Sequence, residues 1–417
     1  MITSIYWFRC DLRLIDNPAF KQACQESDVL LPIYIHPRHL EEKTSWGFSR
    51  VSENRKIFLE ESLRDLQKQL RMMGSELLEI TGDPLAIFKD LQSKFDTNRI
   101  YCEQIEAPEE LEQEGAIRNA GFNLNSIWQS SMLDPSSLPF QLEEMPNVFT
   151  QFRQQVERHK LKFTSPIDAP STIPPLPINI KNITKLADIS TASNKAIFSG
   201  GESRALIHLE QYFERRLPDT YKKTRNQLIG MDYSSKFSPW LALGCFSARF
   251  ITKKLTEYEN LYGANDGTYW LWFELLWRDY FRFLHFKFGN KLYHARGLGN
   301  EPKNQFDEKK FNQWVTGNTG ESLTDAGMRE LLTTGYLSNR MRQIVASYWI
   351  YDMQGDWQAG AAWFESQLID YDVYSNQGNW LYIAGKGTDP RGGRPMNLQK
   401  QTQEHDPEGE YRKIWLS

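Results

Sequence analysis

The alternation of short apolar runs with helical stretches confines the first 132 residues of this chain to one kind of fold. Ser4–Phe8 (SIYWF) and Val29–Ile35 (VLLPIYI) are continuously apolar and short, as expected of strands buried on both faces. From Arg50 to Met73 the period changes. Phe58, Leu59, Leu63, Leu66 and Leu70 recur at three- and four-residue steps, which places them on one helix face. Glu76–Ile80, Ile100–Cys102 and Leu124–Trp128 read as further strands, with helices at Pro84–Phe95 and Glu109–Ala120 between them. Such a repeat predicts a doubly wound parallel α/β domain with right-handed crossovers. No G-x-G-x-x-G motif is present, so this is not an ordinary dinucleotide-binding unit.

Residues 133–200 change character. SPIDAPSTIPPLPINIKN carries five prolines and is followed by a Ser/Thr/Asn-rich stretch, which predicts an extended linker. Residues 201–417 read as an all-α domain, with helices at Glu202–Leu217, Trp240–Leu261, Thr268–Phe288, Ser322–Thr334, Asn339–Met353 and Trp357–Gln367. Two domains and a linker suit 417 residues, too many for one ordinary core.

Composition narrows the function classes. No apolar run reaches the ~18 residues of a membrane span, and the four cysteines are scattered without a C-x-x-C pair. A cytoplasmic monomer without membrane contact is the expectation. Net charge is −4, so any nucleic-acid contact must come from a local basic face. Ten of the 13 tryptophans follow residue 239; they serve either as core or as surfaces that stack on rings or carry electrons.

Three segments of the helical part mix charge, amides and aromatics. In YKKTRNQLIGMDYSSKFSPWLALG, Lys222, Lys223 and Arg225 give local positive charge, and Ser234, Ser235, Lys236 and Ser238 precede Pro239 at a helix start suited to phosphate. In WLWFELLWRDYFRF, Glu274, Trp277 and Arg278 share one helix face. They form either an intrahelical Glu–Arg pair or an acid beside a flat ring that could hold a base-like ligand. The third segment contains SNRMRQ and LIDYDVYSNQGNWLYIAG, with Asp370, Asp372 and Asn376 and with Arg342 available to pair with an aspartate. Two acids without an EF-hand glycine or terminal Glu argue against a metal site.

These segments, with WFRCDLRLIDNPAF near the start and EGEYRKIWL near the end, resemble the photolyase/cryptochrome family over nearly the whole chain. YSSKFSPWLALG, SNRMRQ and YDVYSNQGNWLYIAG are most similar to its DASH-type cryptochromes. The resemblance implies a U-folded FAD whose phosphates and ribose are held by Tyr221 and by Ser234, Ser235, Lys236, Phe237 and Ser238. It implies that Glu274 bonds near the adenine and the damaged bases, that Arg342 pairs with Asp370 beside the flavin, that Asp372 bonds the flavin and that Asn376 faces its N5. Trp277 and Tyr382 would flank a flipped pyrimidine dimer, and Arg278, Asn339, Gln343 and Gln401 would lie on the DNA side. The implied activity is light-driven repair of cyclobutane pyrimidine dimers, chiefly in single-stranded DNA, by an electron from photoexcited FADH⁻. Flipping costs a few kcal/mol from a duplex and little from a single strand. A tyrosine at 382, where duplex-repairing relatives carry tryptophan, gives up stacking area. A methenyltetrahydrofolate antenna would sit between the domains, with Glu106 as its pterin-binding acid.

The chain departs from the family pattern in places. Trp380 and Trp357 match the inner two positions of the photoreduction chain, whereas the distal position falls on Asn304; Trp314 or a tyrosine could replace it. CEQIEAPEE differs from the antenna motif, which leaves two alternatives: Glu103 replaces Glu106, or the antenna is absent. The rival readings are a blue-light photoreceptor that binds the same FAD, a (6–4) photoproduct enzyme, for which the needed histidines are missing from LSNR, and a nucleic-acid-binding flavoprotein.

Overall fold

The computed structural model describes residues 1–178 and 197–417. Much of the Pro-rich and Ser/Thr/Asn-rich stretch expected to be extended lies in 179–196, outside the described residues. Five strands form one parallel sheet: β1 (Thr3–Phe8), β2 (Val29–His36), β3 (Leu78–Thr81), β4 (Arg99–Glu103) and β5 (Asn123–Ile127), in the order β3-β2-β1-β4-β5. The order reverses between β1 and β4, and a crevice opens at the carboxyl ends of strands at such a point. Helix starts follow local chemistry. Ser52 accepts from the Arg55 amide ahead of Glu53–Met72, and Asp83 accepts from Ala86 ahead of Pro84–Phe95, which begins on proline and ends at Asp96 with φ 48°.

Strand alternation divides the sheet between two cores. Ile5 and Trp7 of β1, Leu31, Ile33 and Ile35 of β2, and Ile100 and Cys102 of β4 pack into a small core on one face. Tyr6, Phe8, Leu30 and Tyr101 face the other way and join a large core continuous with the helical domain. That domain is built around the 23-residue helix Asp266–Phe288, opened by a capping box between Asn265 and Thr268. Three differences from the sequence reading have local causes. Residues 133–200 contain a helix, Phe149–Arg158, that buries Phe149, Phe152 and Val156. The helix expected at Trp240–Leu261 is two, Ser238–Ala242 and Ala248–Tyr262, separated at Gly244 (φ 64°) and recapped by Ser247. Asn339–Met353 is helical to Ser347 and continues as one π turn, Tyr348–Asp352.

The break at Gly244 is where the two domains meet. The chain leaving β1 runs under it. Leu12 donates its amide N–H to the Leu243 carbonyl (3.0 Å), and the Arg13 guanidinium donates to the Gly244 carbonyl (3.0 Å). A Cβ on Gly244 would stand 2.0 Å from the Cys10 carbonyl oxygen. Nearby, the Glu202 carboxylate accepts from the amides of Leu14 and Ile15, both at 2.9 Å. Asp16 pairs with Arg249 at 2.8 Å and takes the Ser247 hydroxyl. Asp279 accepts from the amides of Met132 and Leu133 at 2.9 and 2.8 Å. Gly244→Ala is expected to destabilise the protein by more than about 2 kcal/mol, through both the clash and the strained φ. Denaturant midpoints of the two proteins measure this, and unchanged midpoints would show that the seam has slack.

Candidate functional site

Two cavities meet beneath this seam. The first, about 890 Å³, lies between the domains at the carboxyl ends of β1 and β4 and is lined by Trp7 to Cys10, by Glu103 and by Trp357. The second, about 570 Å³, lies inside the helical domain. Both are within the size range of cofactor pockets. They share Leu241, Arg278, Tyr371, Asp372 and Asn376, so a single layer of side chains separates them.

The inner cavity gathers most of the residues singled out from sequence. One wall holds Tyr221 and the run Ser234 to Ser238, where Lys236 takes a left-handed φ of 55°. The Lys236 ammonium lies 3.5 Å from the Tyr233 ring centroid, and burial lowers its pKa to about 7. Opposite, Arg342 pairs with Asp370 at 2.6 Å. The second Asp370 oxygen is buried without a hydrogen-bond partner, an acceptor left open to a ligand. Asp372 caps the helix Val373–Ala384 through the Ser375 amide (2.8 Å) and pairs with Arg282 at 2.5 Å. Despite burial, Arg282 and then Arg278 hold its pKa far below the usual carboxylate range. Asn376, one turn on, gives its amide N–H to the Ala361 carbonyl (3.1 Å).

The remaining walls form an aromatic corner. Trp277 lies flat on Phe149, with ring centroids 3.7 Å apart, and meets Tyr382 at 5.6 Å and 79°. Glu274, Asn339, Gln343 and Trp380 line the same space. Glu274 does not pair with Arg278 along its helix; it bonds Arg225, whose guanidinium lies 4.3 Å over Trp270. Burial raises the Glu274 pKa, against the opposing effect of Arg225. Arg278 instead donates to the Ser130 carbonyl across the domain seam.

Three sequence candidates lie elsewhere. Trp357 faces the interdomain cavity and donates its indole N–H to the Ala295 carbonyl (3.0 Å). Gln401, on the helix Leu398–His405, lines neither cavity. Glu106 also lines neither: its carboxylate accepts from Gln104 (2.5 Å), while its amide N–H donates to the Tyr374 hydroxyl (2.7 Å). Of the two acids weighed for the antenna, the one that reaches the interdomain cavity is Glu103, the last residue of β4. It shares the side of the sheet taken by Tyr101, and one of its oxygens is buried without a partner. Residues in the inner cavity that the sequence did not mark are Tyr336, Arg340 and Arg394. Arg394 lies 4.4 Å over the Tyr382 ring and is tied to Asp389 at 2.5 Å. The PRGGRP run was the available signal for it.

No cluster of three or more metal-ligating side chains exists among the described residues, and no described helix is long and apolar enough to cross a membrane. The donor set is therefore organic: two fixed carboxylates, a guanidinium, hydroxyls, an amide and flat rings. It suits a charged ring cofactor with phosphates.

This pairing of a parallel α/β domain with a helical cofactor domain is that of the light-dependent flavoproteins that repair DNA or sense light. Residues 4–173 match the DNA photolyase family model, and residues 270–417 match the FAD binding domain of DNA photolyase. The chain belongs to the photolyase/cryptochrome family, and its cofactor is FAD. Within the family it is most like the proteins named cryptochrome DASH. It is 43% identical to that of Gloeobacter violaceus over 99% of this chain and 85% of that protein. To the chloroplastic/mitochondrial cryptochrome DASH of Arabidopsis thaliana it is 42% identical, over 99% of this chain and 75% of that protein. Among solved structures, the Synechocystis cryptochrome superposes with a TM-score of 0.93 at 40% identity, covering 99% of this chain and 88% of that one. A class III photolyase from Agrobacterium tumefaciens gives 0.83 at 26% identity, covering 100% and 86%.

The Glu103 pKa rises from 4.5 to about 8, through burial first and then Asp11, with Arg13 opposing. The folded state thus keeps a proton that the unfolded chain gives up. This stabilisation is fully present below about pH 4.5 and is lost as pH rises through about 8. Glu103→Gln does not titrate. Its melting temperature should therefore gain on the wild type between about pH 5 and 8, by an amount that grows with pH. A gap that stays constant in thermal scans across this range would show that Glu103 is ionised when folded.

Proposed function

We propose that this protein repairs cyclobutane pyrimidine dimers in light, chiefly in single-stranded DNA, by electron donation from reduced FAD held in the inner cavity. One observation carries the proposal: the Arg342–Asp370 pair, Asn376, Glu274 and the Trp277–Tyr382 corner all face one space. A flavin and a flipped pyrimidine dimer could meet there without crossing protein. Bound there, reduced FAD supplies a photoexcited electron that returns after the two bonds joining the pyrimidines have broken.

The side chains supply position and charge. Arg342, locked by Asp370, places a fixed positive charge where an anionic reduced ring is favoured. Asn376 can neither take nor give a proton, so a ring edge beside it exchanges none with the protein. Tyr221 and the Ser234–Ser238 run are the phosphate and ribose side, and Asp372 bonds the flavin. On the lesion side, Trp277 and Tyr382 meet nearly at right angles and form a corner that receives two splayed bases. Glu274, with its raised pKa, holds a proton readily and can bond a pyrimidine carbonyl once it has left Arg225. Asn339 and Gln343 offer amide groups beside it, and Arg278 braces the wall from behind.

The test illuminates the reduced protein with a dimer-containing single-stranded oligonucleotide and counts the thymines recovered. Recovery should depend on light. Glu274→Ala should lower it by about 10–100-fold with flavin content unchanged, the cost of one charge-assisted hydrogen bond. Absent recovery in a wild type that binds FAD and photoreduces would instead favour a blue-light photoreceptor. Tyr382→Trp should raise the duplex share of repair by adding stacking area, and an unchanged ratio on matched duplex and single-stranded substrates would remove residue 382 from the explanation.

A further inference from the structure

The tryptophans of the helical domain are not spread evenly through its core. Trp380, in the wall of the inner cavity, meets the edge of Trp314 at 6.3 Å and 85°. Trp314 in turn stacks on Trp349 at 5.1 Å and 23°. All three are 2% exposed or less. Phe364 bridges the first step, 5.1 Å from Trp380 and 6.3 Å from Trp314. Trp357 takes part in no ring contact among the described residues, although it resembles the family's second electron carrier.

Two glycines make room for this row. A Cβ on Gly355 would stand 2.0 Å from the Trp349 ring, and one on Gly360 would stand 2.3 Å from Trp380 and 3.0 Å from Trp349. Neither glycine has a left-handed φ, so what glycine supplies at both positions is space. The indole N–H groups are held by neutral carbonyls, Trp314 on Val345 (3.1 Å) and Trp349 on Asp356 (2.8 Å). A backbone carbonyl is too weak a base to remove a proton, so an oxidised indole there keeps its charge and can pass it on. The Asp356 carboxylate is itself neutralised by Lys303 at 2.6 Å. Outward from Trp349 lie Phe311 (5.5 Å) and then Phe306 (5.3 Å further), which is 36% exposed. Asn304, the residue at the family's distal tryptophan position, hydrogen-bonds the carbonyls of Ile350 and Gly355 beside this stack.

We propose that Trp314 and Trp349 are the electron-supply route to Trp380 in this protein. Trp380 gives one electron to the photoexcited, oxidised flavin. Trp314 refills Trp380, and Trp349 refills Trp314. A small thiol at the surface beside Phe306 then refills Trp349. Each thiol that gives up an electron releases its proton to water and becomes a thiyl radical, and two such sulfurs join as a disulfide. One electron leaves a thiol for each one that enters the cavity, and no bond between protein atoms is made or broken. The inference rests on the flavin reading of the inner cavity and is independent of the repair reading.

Transient absorption of the FAD-loaded protein with oxidised flavin, with and without dithiothreitol, tests the route. Trp314→Phe and Trp349→Phe should each shorten the life of the indole radical and slow thiol-dependent photoreduction by at least about tenfold. Trp357→Phe should keep both within about threefold. Flavin absorbance and melting temperature, read on every variant, separate a broken route from a misfolded chain. Should the two buried variants lose the flavin, Trp357→Phe against wild type decides alone. Loss of the long-lived radical in flavin-loaded Trp357→Phe, or its survival in Trp314→Phe and Trp349→Phe, overturns the route. A wild type without flavin absorbance would overturn the cofactor reading instead.

Discussion

The structure depends on a short run of chain after β1 that has no regular structure of its own. From Arg9 to Asn17 the backbone passes through the interior of the molecule, where an amide or carbonyl without a partner is costly. Several of its partners come from the other domain: Leu243 and Gly244 carbonyls, the Glu202 carboxylate, Ser247 and Arg249. Neither domain can satisfy this segment alone. Burial raises the Glu202 pKa to about 7, so the two amide bonds it accepts are formed by a group under strain from its surroundings. The same seam carries Asp279, whose pKa rises to about 6 while it holds the amides of Met132 and Leu133. A seam of this kind fixes the position of one cavity relative to the other.

The two cavities are therefore best regarded as one machine with a common wall. Asp372 is its central element. It caps the helix that carries Asn376 and Trp380, and it is locked to Arg282 on the helix that carries Glu274 and Trp277. One carboxylate thus sets the spacing between the Asn376–Trp380 helix and the Glu274–Trp277 helix. It also lines the interdomain cavity, beside the buried Glu103. Removing its charge would leave Arg282 without its ion pair in the wall, and a buried unpaired charge costs several kcal/mol.

Much of this was legible in the sequence wherever the information is local. The strands and several helices follow from apolar period and caps: Pro84–Phe95, Ser322–Thr334 and Trp357–Gln367 lie where the periodicity puts them. The break at Gly244 was hidden because its cause is the Cys10 carbonyl, more than two hundred residues away in sequence. Arg225 was visible as charge, but its pairing with Glu274 was not, since 49 residues separate them. Glu103 and Glu106 differ by three positions across a strand end. Only the alternation through Tyr101, read to the last residue of β4, shows which of them turns toward the helical domain. The row Trp380–Trp314–Trp349 comes from three separate helical segments, and no spacing rule connects them.

The inner cavity's charge also bears on how a nucleic acid could be held by a chain of net charge −4. Three of the arginines in its wall already have anionic partners: Arg225 holds Glu274, Arg342 holds Asp370 and Arg394 holds Asp389. Arg340 bonds only the neutral amides of Asn226 and Gln343, and its Nε has no partner. Each phosphate contact contributes roughly one counterion to the salt dependence of binding. Under the proposed repair reading, a wall with few free cations implies a shallow dependence, with more of the affinity coming from the Trp277–Tyr382 corner, where stacking is worth about 1–3 kcal/mol per base. A substrate bound by its bases rather than its backbone has to present them unpaired. Single strands do so at little cost, whereas a duplex must first surrender its own stacking and pairing. The proposed preference for single strands would then rest as much on the pairing of Arg225 and Arg394 as on the smaller ring at Tyr382.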